Sequence, residues 1–152
     1  MDLKLIIYNY LQTQQLMSLT TLGTNPWPAI VYFIADQDLN LYFISHPHDL
    51  HCRNLEKEPR VGIAIYSSEQ PNSGDKIGVQ FSGSVKVVNN LEKVKWMLDL
   101  WKKLIAGKNG FRPQPGDLLE VGGSRVYKVL PEKIKFFNTK LFPKNNFQIL
   151  EF

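Results

Sequence analysis

The chain has 152 residues, 43% of them apolar, and carries 18 Lys or Arg against 14 Asp or Glu for a formal net charge of +4. That length and apolar content suit one continuous core, so residues 1–152 are expected to form a single domain. Cys52 is the only cysteine, which excludes an intramolecular disulfide, and no apolar run reaches the roughly 20 residues of a membrane-spanning helix, so a cytoplasmic protein with no membrane partner is the expectation.

Leu3, Ile6, Ile7, Tyr10 and Leu11 recur at helical spacing, and residues 2–15 read as an amphipathic helix. The period then changes. Met17–Gly23, Ala29–Ala35 and Leu39–Ser45 are short runs rich in Thr, Val, Ile, Tyr and Phe, separated by Asn25-Pro26-Trp27-Pro28 and by Asp36-Gln37-Asp38, as in a three-stranded meander. Pro47–Glu58 loses β-character and reads as a short helix, with Pro47 at its first position and Pro59 beyond its end.

Val61–Tyr66 returns to strand character. After a turn-rich stretch, Ile77, Val79, Phe81, Val85 and Val87 alternate with Gly78, Gln80, Ser82, Ser84 and Lys86, which predicts a long strand over residues 77–88 with one buried face. Gly83 falls where a bulge or a close backbone approach would bend it. Residues 91–106 again show helical spacing, through Leu91, Val94, Met97, Leu98, Trp101, Leu104 and Ile105, with Gly107 as the C-cap. Arg125–Leu130 and Lys133–Phe137 read as a strand pair around Leu130-Pro131-Glu132, and the aromatic tail Phe142…Phe147…Phe152 is expected to dock on the body or on a second subunit.

The sequence lacks a G-x-S-x-G elbow, a G-x-x-x-x-G-K-[ST] loop, a G-x-G-x-x-G turn after a strand and an H-E-x-x-H helix, so hydrolase and nucleoside-triphosphatase functions lose their motif support. Residues 101–152 hold ten Lys or Arg against four Asp or Glu. These cations are spread singly and the aromatics among them adjoin apolar neighbours, a pattern of solvated surface and packing, so no nucleic-acid partner is expected.

Two places could carry chemistry. His46-Pro47-His48-Asp49-Leu50-His51-Cys52 gathers all three histidines and the cysteine. On one helix His48, His51 and Cys52 would share a face suited to Zn²⁺, but no fourth ligand lies nearby, and no metal is expected. The alternatives are a helix that simply caps the barrel, or a phosphate site at a helix N-terminus, with Ser45 supplying a hydroxyl and His51 or Arg53 a charge. The second place is Gln80, with Ser82 and Ser84, on the polar face of the long strand: either a half-exposed sheet or a ligand groove.

Thr20-Thr21-Leu22-Gly23-Thr24, Pro28-Ala29-Ile30-Val31-Tyr32-Phe33, Leu39-Asn40-Leu41-Tyr42-Phe43-Ile44-Ser45, Arg53-Asn54-Leu55 and Pro59-Arg60-Val61, in that order, resemble the pyridoxamine 5′-phosphate oxidase-like FMN-binding split barrel over about residues 15–90. Gly78-Val79-Gln80-Phe81-Ser82-Gly83 with His51 resembles the YhbP-like subgroup of that family, whose helix carries histidine where many relatives carry lysine. The resemblance implies a mainly β fold, a β-barrel with flanking helices of the Greek-key type. It implies an FMN cofactor at the interface of a homodimer, with Ser45, His46 and His51 toward the phosphate, Val31 and Ile44 offering backbone to the ring, and Asn54 and Gln80 as polar contacts.

Trp27, Trp96, Trp101 and the aromatic tail supply the apolar surface that a dimer would cover. True pyridoxamine-phosphate oxidases have an arginine-rich C-terminal stretch. Here the comparable segment, Phe137-Asn138-Thr139-Lys140-Leu141-Phe142-Pro143, has none. A flavin-dependent oxidoreductase of unknown substrate and unknown catalytic residues is therefore the leading expectation. The alternative is a non-catalytic protein that binds or senses flavin or haem on the same barrel.

Overall fold

The computed structural model describes residues 1–103 and 123–152. Its elements in chain order are α1 (Leu3–Leu11), β1 (Leu16–Leu22), β2 (Pro26–Tyr32), β3 (Ile34–Ala35), β4 (Leu41–Ser45), α2 (Leu50–Lys57), β5 (Arg60–Tyr66), β6 (Ile77–Val87), α3 (Leu91–Trp101), β7 (Arg125–Asn138) and β8 (Phe147–Glu151). The fold is mainly β, a curled antiparallel sheet with flanking helices. Its strands run in the order β2-β1-β5-β6-β7-β4-β3, with β8 pairing on β7.

The curl follows from one continuous segment. Pro26–Tyr32 pairs with β1 at one end of the sheet, while Ile34-Ala35, past Phe33, pairs with β4 at the other. Pro26, Trp27 and Pro28, expected to separate strands, lie within β2. A strand at the end of the sheet leaves one edge without a ladder, and there a proline's missing N–H costs nothing.

The expected pair of late strands is a single strand, β7. Ser82 faces Lys133 but Gly83 faces Pro131, so Glu132 is an extra residue on β7. Before this bulge Tyr127 and Val129 point into the core; after it Ile134 and Phe136 do. The inserted residue flips the side-chain parity and keeps both halves of β7 on one core, which also explains how proline is tolerated mid-strand. Gly83 lies at the closest approach, where an added Cβ would stand 2.2 Å from the Leu130 carbonyl oxygen.

The barrel interior is filled from β1, β4, β5, β6 and β7 by residues such as Leu19, Leu41, Phe43, Ile63, Phe81 and Phe136, and α1 closes it with Ile7, Tyr10 and Leu11. Asp2 caps α1 by accepting from the Leu5 N–H at 3.2 Å. A second, smaller cluster lies on the other face of β4, where Tyr42 and Ile34 pack under Val94, Met97, Leu98 and Trp101 of α3. Leu104, Ile105 and Gly107, expected to complete this helix, lie outside the described residues. In the tail, Phe142 is buried against Phe136 and β8 adds a strand to β7, whereas Phe152 is exposed.

Candidate functional site

β2 and β4 approach each other without sharing a ladder, and α2 packs beside this opening against β1 and β2. The helix is shorter than expected. Pro47 and His48 form a turn, in which the His46 carbonyl accepts from the Asp49 N–H at 3.0 Å, and the helix begins only at Leu50. His48 therefore does not share a helical face with His51 and Cys52. Among the described residues no three His, Cys, Asp or Glu side chains gather as a metal ion would require.

Ser45 ends β4 and His51 is the second residue of α2, and their side chains meet: His51 Nε2 lies 2.9 Å from Ser45 Oγ. Each is only 8% exposed. Asp49 holds the N-cap position of α2 but makes no side-chain bond to the helix amides, leaving those N–H groups without a side-chain cap. Asn54, one turn beyond His51, donates through Nδ2 to Thr21 Oγ1 at 3.0 Å and so ties α2 to β1.

The other predicted residues lie apart. Val31 sits on β2 opposite Met17 with its side chain in the barrel core. Ile44 faces the α3 cluster, on the sheet face opposite to Ser45. His46 is half-buried in the turn, its Nδ1 accepting from the His48 N–H at 3.3 Å. Gln80 is exposed and pairs across the sheet with Ala64 and Lys135, far from Ser45, which pairs with Arg125 at the opposite end of β7. It lines a separate cavity of about 450 Å³ with Tyr66, Gln70, Lys76, Lys135 and Phe137.

Two residues near the Ser45–His51 pair escaped the sequence reading. Arg125 is the cross-strand neighbour of Ser45, a relation set by register between segments 80 residues apart, with no local signal. Thr21 is fully buried, and here a signal existed: it continues the inward phase of Met17 and Leu19 on β1.

Burial holds the His51 pKa below its ordinary value, with the Asp49 charge opposing. The imidazole is therefore neutral at pH 7 in the free protein. Burial likewise raises the Cys52 thiol, with hydrogen bonding to Tyr127 as a smaller opposing influence, so Cys52 is not a thiolate nucleophile at neutral pH. A hydroxyl, an imidazole and uncapped helix amides form a donor set that fits a phosphate group, and the ladder sets Arg125, an exposed cation, opposite Ser45.

A stability prediction follows from His51. Its folded pKa lies below the unfolded value of about 6.5, so above that pH both states are neutral and the group contributes nothing. As pH falls below 6.5 the unfolded chain takes up the proton first, and stability is lost at up to about 1.4 kcal/mol per pH unit until the folded state also protonates. Urea midpoints measured from pH 7.5 to pH 5 are expected to fall less steeply for His51→Gln than for the parent. Parallel curves would show that His51 is not buried neutral.

A family model described as pyridoxamine 5′-phosphate oxidase matches residues 7–137. No curated protein matches the chain. Among solved structures, General Stress Protein 26 from Bacillus anthracis is 17% identical with a TM-score of 0.70, over 100% of both chains. A heme binding protein from Mycobacterium smegmatis is 15% identical with a TM-score of 0.69, over 91% of this chain and 53% of that one. A FAD-binding protein from Mesorhizobium loti is 17% identical with a TM-score of 0.65, over 86% of this chain and 88% of that one. At such identities the likeness is one of fold.

Proposed function

This chain belongs to the pyridoxamine 5′-phosphate oxidase family, and from that membership we propose that it is an FMN-binding protein acting as a flavin-dependent oxidoreductase in a homodimer. The observation that carries the reading is the buried Ser45–His51 pair at the uncapped N-terminus of α2, with Arg125 across the ladder. Ser45 and His51 hold the cofactor phosphate, His51 gaining a proton as the dianion arrives, and Arg125 adds a permanent charge. Bound flavin supplies hydride or electron transfer, while the protein supplies position and exclusion of water.

A second copy would complete the site. The outer face of the sheet exposes Leu16, Ile30, Tyr32 and Tyr66, an apolar surface that a dimer would cover. Gln80 and its cavity lie on this same face, so a partner's Gln80 could reach a flavin that one chain alone cannot bring near it. No helix among the described residues is long and apolar enough to cross a membrane.

Titration of the purified protein with FMN tests the reading. Quenching of flavin fluorescence to a stoichiometry of one per chain, with sedimentation as a dimer, is the expected result. Added NADH or NADPH then tests for reduction of the bound flavin. The alternative, a flavin or haem carrier or sensor without turnover, draws on the haem-binding and FAD-binding proteins that share the fold. It predicts binding, seen for haem as a Soret band, with no reductant consumed. A protein that binds neither FMN nor haem would overturn both.

A further inference from the structure

On the opposite face of β4 from Ser45, three lysines converge. Lys86 and Lys128 are directly opposed in the β6–β7 ladder, where like charges repel. Lys93, in the first turn of α3, places its ammonium 5.7 Å from the centre of the Tyr42 ring and 5.6 Å from that of Trp96. Lys128 approaches the same Tyr42 ring at 5.7 Å. Together with Asn89, Asn90 and Val88 these lysines line a cavity of about 270 Å³.

The nearby carboxylates, Asp36 and Asp38, offset part of the lysine charge, and each also has a partner of its own. Asp36 accepts from the Tyr42 hydroxyl and from Asn40 Nδ2, each at 2.9 Å, and Asp38 pairs with Lys4 at 2.7 Å. Glu92, exposed in the first turn of α3, does not line the cavity. The Lys128 ammonium is disfavoured by burial and then by the charges of Lys93 and Lys86, with Asp36 and Asp38 opposing. Three gathered cations beside two amide side chains and an apolar wall match a compact dianion with an organic substituent better than a carboxylate, which carries one charge.

We propose that the cavity between Lys86, Lys93 and Lys128 is a binding site for a phosphate dianion, free or on a small monoester, separate from the Ser45–His51 site. Calorimetric titration of the full chain at low salt with inorganic phosphate and with phenyl phosphate tests it, against sodium chloride at matched ionic strength. In the Ser45→Ala/His51→Gln chain, which lacks the partners of the other phosphate site, saturable binding to one site per chain is expected. Adding Lys93→Met/Lys128→Met to that chain weakens it at least tenfold.

Tighter binding of phenyl phosphate assigns an organic monoester, and equal binding assigns free phosphate. Lys128→Met alone keeps or raises Tm in phosphate-free buffer, because it removes a cross-strand repulsion, and it loses the Tm rise that phosphate gives the parent. Heats that follow ionic strength alone, or lysine-variant dissociation constants within twofold of the parent's, would overturn the proposal. So would binding lost only in the Ser45 and His51 variant, since that outcome moves the anion to the other site.

Discussion

Gly83→Ala is expected to lower the unfolding free energy by about 3 kcal/mol, the upper end of the usual overpacking range. The alanine Cβ would stand 2.2 Å from the Leu130 carbonyl oxygen and 3.2 Å from the Pro131 Cα. Both are backbone atoms of β7, so no side chain can rotate away. Relief requires β6 and β7 to separate at the bulge, the longest ladder of the sheet, which joins Ile77–Val87 to Tyr127–Asn138. The urea midpoint should fall with little change in slope, since the folded core is otherwise retained. A midpoint within experimental error of the parent would mean that the strands are not as close at Gly83 as the structure places them.

The second large effect concerns cofactor affinity. Ser45→Ala/His51→Gln removes two polar partners of the proposed phosphate, each hydrogen bond to a charged group being worth about 1.5–3 kcal/mol. Because the two side chains act as one unit, the losses are not additive, and a total of about 2–3 kcal/mol corresponds to FMN binding weakened roughly 30- to 150-fold. Equilibrium titration by flavin fluorescence measures this directly.

The pH dependence separates the role of His51 from that of the hydroxyl. His51 is neutral in the free protein because burial depresses its pKa. An incoming phosphate raises that pKa, so binding takes up a proton and affinity rises as pH falls. FMN is expected to bind more tightly at pH 6 than at pH 8, and the double variant should lose this dependence. Equal dissociation constants for the parent at the two pH values would remove His51 from the phosphate, and the imidazole would then serve only to fasten α2 to β4.

Patterns contained within one segment were legible. The helical spacing of α1 and of the described part of α3, the alternation along β6 and the special position of Gly83 all appear as expected, because period and backbone freedom are properties of neighbouring residues. Pro26-Trp27-Pro28 and Leu130-Pro131-Glu132 were misread as breaks for the same reason. Local propensity opposes proline in a strand, and only an open sheet edge in the first case and a bulge in the second remove the objection.

The candidate site divides along the same line. Ser45 and His51, six residues apart at a strand-to-helix junction, could be paired from sequence, and the structure brings them to hydrogen-bonding distance. Their burial, the His51 pKa that follows from it, and the location of Gln80 at the other end of β7 could not be read there. The oppositions of Arg125 to Ser45 and of Lys86 to Lys128 belong with these. Sequence by itself determined the period of most helices and strands and set Ser45 six residues before His51. Tertiary structure alone decided which charges face one another, because cross-strand register and burial are set by segments far apart in the chain, packed on a common core.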